Sequence, residues 1–213
     1  MSSNGSAAVE GAAQALAARA RDLLRSLGAP AIAPFLADWP DPPDPANPGH
    51  AGASAPPASP ALAVLGWVPV VARDPRCFCP SLVAELCRHA PSLAWRQTYS
   101  AGDIGAAFLR NYGWTEILGP KSPGGARIAC GFLLLGPETL YPRHRHEAEE
   151  IYVPLSGTAR WRQGDGSWRE RLPGSAIHHA SDEAHSMHTG AEPLLALYAW
   201  RGARLNGKAR LES

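Results

Sequence analysis

Residues 141–157 read YPRHRHEAEEIYVPLSG, and this stretch decides the fold. Side chains two apart on an extended strand share a face. His144 and His146 therefore point one way, and Arg143 and Arg145 the other. Glu147 and Ala148 can turn the chain into a second strand, where Glu150 and Tyr152 share a face by the same rule. A hairpin of the two gathers two imidazoles and a carboxylate on one inner surface. That donor set suits a divalent ion such as Zn2+, Fe2+ or Mn2+.

Working outward, SAIHHASDEAHSMHT (175–189) offers His178, His179, His185 and His188. His185 follows the turn-like Ser181-Asp182-Glu183, on a strand that can return beside the first two and complete the site. His178 and His179 alternate, so at most one faces a cavity, and His188 reads as structural. A lone strand histidine is usually structural or solvated. Here six of the eight histidines lie between 144 and 188, and three join Glu150 in a spaced pattern. Around them run short apolar segments such as WTEILG, ARIACGFLLLG, TARWRQG and PLLALYAWRG, with Gly-Asp-Gly at 164–166 marking a hairpin. Many short strands at even spacing predict a barrel or sandwich.

Upstream the composition changes. Residues 7–27 carry Leu16, Leu23, Leu24 and Leu27 at helical spacing and stop at Gly28 and Pro30, which predicts one amphipathic helix. Residues 40–60 are dominated by Pro, Ala, Gly, Asp and Ser and read as a linker or long surface loop, with His50 solvated inside it. PSLVAELCRHA from Pro80 and DIGAAFLRNY over 103–112 read as two helices, with His89 favourable at the C-terminus of the first. The expected organisation is an N-terminal helix plus Pro/Ala-rich linker over 1–75, a helical segment over 76–113 that packs on the barrel, and a β-barrel over 114–205.

The chain has 213 residues, 45% of them hydrophobic, and a formal net charge of +1. No Lys/Arg run or basic stripe suggests nucleic acid, and no basic amphipathic helix suggests a membrane surface. The expected partner is a small-molecule substrate or a second subunit. The N-terminus lacks the basic start and apolar stretch of a secretory signal, and no window is long and apolar enough to span a membrane, so a cytoplasmic location is expected. Cys77, Cys79, Cys87 and Cys130 show no paired metal spacing and read as free thiols.

The spacing His144-x-His146, three residues, Glu150, six residues, Gly157 resembles the first motif of the cupin superfamily. Pro173-Gly174 leading to His185 resembles the second. The upstream Gly136 lies farther from His144 than the motif has it. The implied fold is mainly β: a C-terminal cupin barrel (double-stranded β-helix or jelly roll) with an α-helical N-terminal segment. Cupins often form homodimers.

Tyr141-x-x-His144-x-His146-x-Ala148-x-Glu150-x-Tyr152-x-x-Leu155-x-Gly157, then Ile177-His178-His179 and His185-Ser186-Met187, is similar to the cupin-type dimethylsulfoniopropionate lyases and their lyase-like relatives. Trp95-Arg-Gln-Thr-Tyr99 and Tyr198-Ala-Trp200 also resemble that family, and Ser186 departs from an expected Ala. The likeness covers about residues 95–202.

It implies a metal-dependent β-elimination releasing dimethyl sulfide and acrylate. His146, Glu150 and His185 are then metal ligands, with Tyr152 as a fourth. His144 is either a ligand or a group that orients the site. Tyr141 or Tyr152 is the base, and the sequence leaves the choice open. Trp95, Tyr99, Tyr198 and Trp200 are candidates for holding the sulfonium, since a cation without hydrogen-bond donors suits aromatic faces. His179 is a candidate for the pocket wall. The competing readings are another metal-dependent cupin enzyme, such as a dioxygenase or isomerase of a small carboxylic acid, and a non-enzymatic cupin that binds a small ligand.

Overall fold

The structure is a computed structural model that describes residues 3–41, 62–120 and 127–212. The linker expected over 40–60, His50 included, lies from residue 42 onward outside the described residues. Among the described residues no helix is long and apolar enough to cross a membrane.

Two antiparallel sheets form the C-terminal part. The larger has the order β1-β2-β3-β10-β5-β8, from Trp95–Arg96, Tyr112–Leu118, Ile128–Leu135, Leu194–Arg201, Glu149–Ser156 and Ile177–His179 in that order. The smaller has the order β11-β4-β9-β6-β7, from Arg210–Leu211, Leu140–Arg145, His185–Thr189, Ala159–Gln163 and Arg169–Arg171. Side chains from both inner faces form one interior cluster that includes Leu133, Tyr141, Tyr152, Trp161, Met187 and Tyr198. This is the cupin barrel that the spaced histidines predict.

The outer face of the larger sheet is apolar too. All eight residues of β3 are buried. Ile128, Cys130, Phe132 and Leu134 on β3, Ile151, Val153 and Leu155 on β5, and Leu195, Leu197 and Ala199 on β10 join a second core with the helices. A strand covered on both faces reads as a continuous apolar run, and ARIACGFLLLG and PLLALYAWRG read that way.

The helical cover follows from its sequence. In α1 (Ser3–Leu27), Leu16, Ala20, Leu23 and Leu24 are buried along one stripe. Gly28 at φ +61° ends it in the left-handed conformation that glycine adopts at helix C-termini. After α2 (Ala33–Ala37) and α3 (Val68–Val71), α4 (Pro80–His89) buries Leu82, Val83 and Leu86 and meets α1 through Arg19 and Glu85 at 3.1 Å.

The helix expected over 103–112 is two short ones, α5 (Ala101–Ile104) and α6 (Ala106–Arg110), because Gly105 at φ +89° leaves helical geometry. Tyr112 already opens β2, and β1 lies inside the segment expected to be helical. The sheets also reach past residue 205, to β11. The Gly157 of the motif has a steric cause: at φ +77°, a Cβ there would sit 2.1 Å from the Pro193 carbonyl oxygen.

Candidate metal centre

Alternation on β5 sends Ile151 and Val153 out to the helical core and Glu150 and Tyr152 inward. Glu150 lies in register between Trp200 of β10 and His179 of β8. The smaller sheet supplies the imidazoles: β4 and β9 pair His144 opposite His185, and His146 follows the end of β4.

His146 Nε2 stands 3.0 Å and His185 Nε2 3.3 Å from Glu150 Oε2. Candidate ligand atoms from the three buried residues all lie within 4.8 Å of one another. His146 Nδ1 is 2.8 Å from the Ala148 carbonyl, and His185 Nδ1 is 2.9 Å from that of Glu183. A carbonyl only accepts, so each Nδ1 carries the proton and each Nε2 of a neutral ring presents a lone pair.

Two lone pairs thus converge on a carboxylate, an arrangement that needs positive charge at its centre. His185 Nε2 lacks the geometry of a hydrogen bond to that oxygen and has no other protein partner. Without a metal, a proton on His146 supplies part of the charge. Burial lowers its affinity for that proton, but the Glu150 carboxylate outweighs burial and raises it above the ordinary histidine value. Burial opposes ionisation of Glu150, yet His146 and His185 hold it well below the usual carboxylate range. A buried, prepolarised His/Glu/His set fits a divalent cation.

His144 stands apart from this trio. Its Nδ1 is 2.8 Å from the Pro142 carbonyl, its ring stacks on Tyr141 at 4.0 Å, and His185 meets it edge-on at 4.2 Å. Burial, then His185, hold it neutral by pushing it well below its ordinary value.

A cavity of about 370 Å3 opens beside the trio. Tyr141, Tyr152, Tyr198 and Trp200 line it together with His144, His146 and Glu150. Trp200 stacks on His146 at 4.2 Å and donates its Nε1–H to Glu150 Oε1 at 2.5 Å. Burial, then the Glu150 carboxylate, push the Tyr152 phenol well above its usual range.

Three of the residues expected at the substrate lie elsewhere. Trp95 packs in the helical core and donates its Nε1–H to the Ala90 carbonyl at 3.1 Å, because the two-residue β1 turns its indole outward. Tyr99 stands behind Tyr141, with the two hydroxyls 3.2 Å apart. His179 stacks behind His185 at 4.0 Å, buried and with neither ring nitrogen hydrogen-bonded.

The cavity also has walls that the sequence reading missed: Arg96, Trp114 and Glu116, and the crossing segment 205–209 between β10 and β11. The alternation of Trp114 and Glu116 in WTEI was the one available signal.

A family profile for dimethylsulfoniopropionate lyases matches residues 71–196. The chain is 38% identical over 126 residues to DddL of Cereibacter sphaeroides, covering 57% of this chain and 52% of that protein. It is 33% identical over 109 residues to the dimethylsulfoniopropionate lyase DddQ of Ruegeria pomeroyi, covering 51% of this chain and 54% of that protein. The chain thus spans about half the length of the curated relatives it matches. A crystal structure reported with the DMSP lyases RdDddP and RnDddQII superposes with a TM-score of 0.75 at 28% identity, covering 96% of this chain and 100% of that one.

Proposed function

The chain belongs to the dimethylsulfoniopropionate lyase family, and from that premise we propose that it is a metal-dependent carbon–sulfur lyase converting dimethylsulfoniopropionate to dimethyl sulfide and acrylate. The observation that carries this reading is the meeting of the two Nε2 lone pairs on Glu150 at the wall of a cavity lined by tyrosines. His146, Glu150 and His185 hold the ion, which is Zn2+, Fe2+ or Mn2+. When bound, the ion supplies positive charge that favours a phenolate at Tyr152 and stabilises negative charge growing on the substrate carboxylate.

Tyr152 is the base. It shares the inner face of β5 with Glu150, whereas the Tyr141 hydroxyl is engaged by Tyr99 and its ring by His144. A base must lie within hydrogen-bond reach of the proton it takes. The Tyr152 oxygen accepts the proton from the carbon α to the carboxylate. The C–H electron pair becomes the new C=C bond, the C–S pair leaves with sulfur as neutral dimethyl sulfide, and acrylate remains. Tyr141 and His144 pack the substrate against the metal side of the cavity. The cytoplasmic location and homodimer expected from the sequence belong to this proposal, with cell fractionation and light scattering as their tests.

The test is headspace dimethyl sulfide and dissolved acrylate from metal-loaded protein. Tyr152→Phe is expected to keep the metal and lose about 10^3-fold in kcat, and Tyr141→Phe to lose about tenfold, within the span that general bases contribute. Equal, full activity in both variants would remove the tyrosine mechanism.

A further inference from the structure

Glu116 is the acidic side chain of this cavity that the metal centre does not use. It lies on β2, in register with Gly131 of β3, Tyr198 of β10 and, through them, Tyr152 of β5. Three strand spacings separate Glu116 from β5, roughly 14 Å along the sheet. The cavity therefore has two anionic ends: Glu150 with its imidazoles, and Glu116 without them.

The surface between the two ends is aromatic. Trp114 shares the inner face of β2 with Glu116, and its ring meets Tyr198 edge-on at 6.5 Å. Trp200 meets Tyr198 at 6.2 Å. Tyr198 lies across Gly131, where a Cβ would come within 2.7 Å of the phenol oxygen and 1.9 Å of the Thr115 carbonyl. The glycine thus lets an aromatic side chain cross the floor beside Glu116. Trp114 already carries a cation, the Arg96 guanidinium, 5.8 Å from its ring centre.

We propose that Glu116, Trp114 and Tyr198 form the seat for an onium group, sulfonium or quaternary ammonium, at the far end of a short carboxylate. The inference rests on the lyase reading for which end of the ligand faces the metal, and it adds the residue that selects the cationic end. An onium has no N–H or O–H to donate, so hydrogen bonds cannot recognise it. Aromatic faces and one carboxylate across a desolvated gap can. Arg96 and Lys208 also line the cavity. Lys208 is paired with Asp103 at 3.0 Å and Arg96 lies over Trp114, so both cations are already placed.

The experiment compares two ligands of one shape by calorimetry on metal-loaded protein: 3-(trimethylammonio)propanoate and its uncharged isostere 4,4-dimethylpentanoate. The wild type should bind the onium about tenfold more tightly. Glu116→Gln should abolish that preference while changing isostere affinity less than twofold. Glu116→Asp should keep part of the preference, and it carries the test if the Gln variant does not fold. The proposal is overturned if the Gln variant keeps the preference, if both ligands weaken together, or if the wild type favours the isostere because Arg96 and Lys208 govern the cavity. A Glu116-dependent preference in a protein that releases no dimethyl sulfide would sink the lyase reading and leave the onium seat standing.

Discussion

The six-stranded sheet is covered on both faces, whereas the five-stranded sheet turns one face to water. Phe132 and Leu197 of the first are within 1% of full burial, while Arg160 of the second is exposed on β6. The metal centre draws on both. Glu150 and Trp200 come from strands locked between two cores, so their placement depends on packing far along the chain. His146 and His185 are oriented locally, each by a carbonyl two residues away. The carboxylate is thus fixed by the fold and the imidazoles by their own turns, and the two halves can be disturbed separately.

The largest effect is expected where the sheets meet. Glu150→Gln should remove the charge that both imidazoles face, abolish metal retention and lower kcat/KM by about 10^4-fold. Metal content and dimethyl sulfide release check it. Next comes the contrast between the sheets themselves. Phe132→Ala should cost about 3–5 kcal/mol in urea unfolding, and Arg160→Ala no more than about 0.5 kcal/mol. Equal losses would erase the distinction between the sheets.

The smaller sheet should show itself in the pH dependence of the metal-free protein. Burial, then His185, push His179 down to about 2, and His144 is likewise held neutral, while His146 is raised. Below about pH 6.5 the unfolded chain protonates all three, and the folded chain protonates His146 alone. The unfolded state then binds two more protons, so stability should fall by about 2.7 kcal/mol for each pH unit lost between 6 and 5. Unfolding free energies at pH 7, 6 and 5 measure this, and a flat profile would contradict the neutral imidazoles. The smallest effect is expected at Gly131→Ala. The new Cβ must displace Tyr198 or the β2 backbone, at about 1–3 kcal/mol, with a rise in KM for the substrate.

What the sequence made legible follows from how far apart the deciding residues lie. His146 and Glu150 are four apart, and strand alternation with one turn suffices to bring them together. His185 needed only a returning strand after a turn. The helix over 7–27 and the doubly buried strands were readable from periodicity and unbroken apolar runs.

Trp114 and Glu116 were not readable as cavity walls, because their place depends on β2 pairing with β3 and on β10 lying beyond it. Trp95 was assigned from the family-like segment 95–99, and residue type does not say which way a two-residue strand turns its indole. The crossing segment 205–209 lies beyond the expected end of the barrel, and it lines the cavity only because β10 and β11 belong to different sheets.

The most direct measurement titrates metal-stripped protein with Zn2+, Fe2+ or Mn2+ while following dimethyl sulfide from dimethylsulfoniopropionate. Activity should rise linearly and break at one equivalent for the competent ion, and Glu150→Gln should show no rise. Stripped protein as active as reloaded protein, or a wild-type response no different from that of Glu150→Gln, would contradict the account.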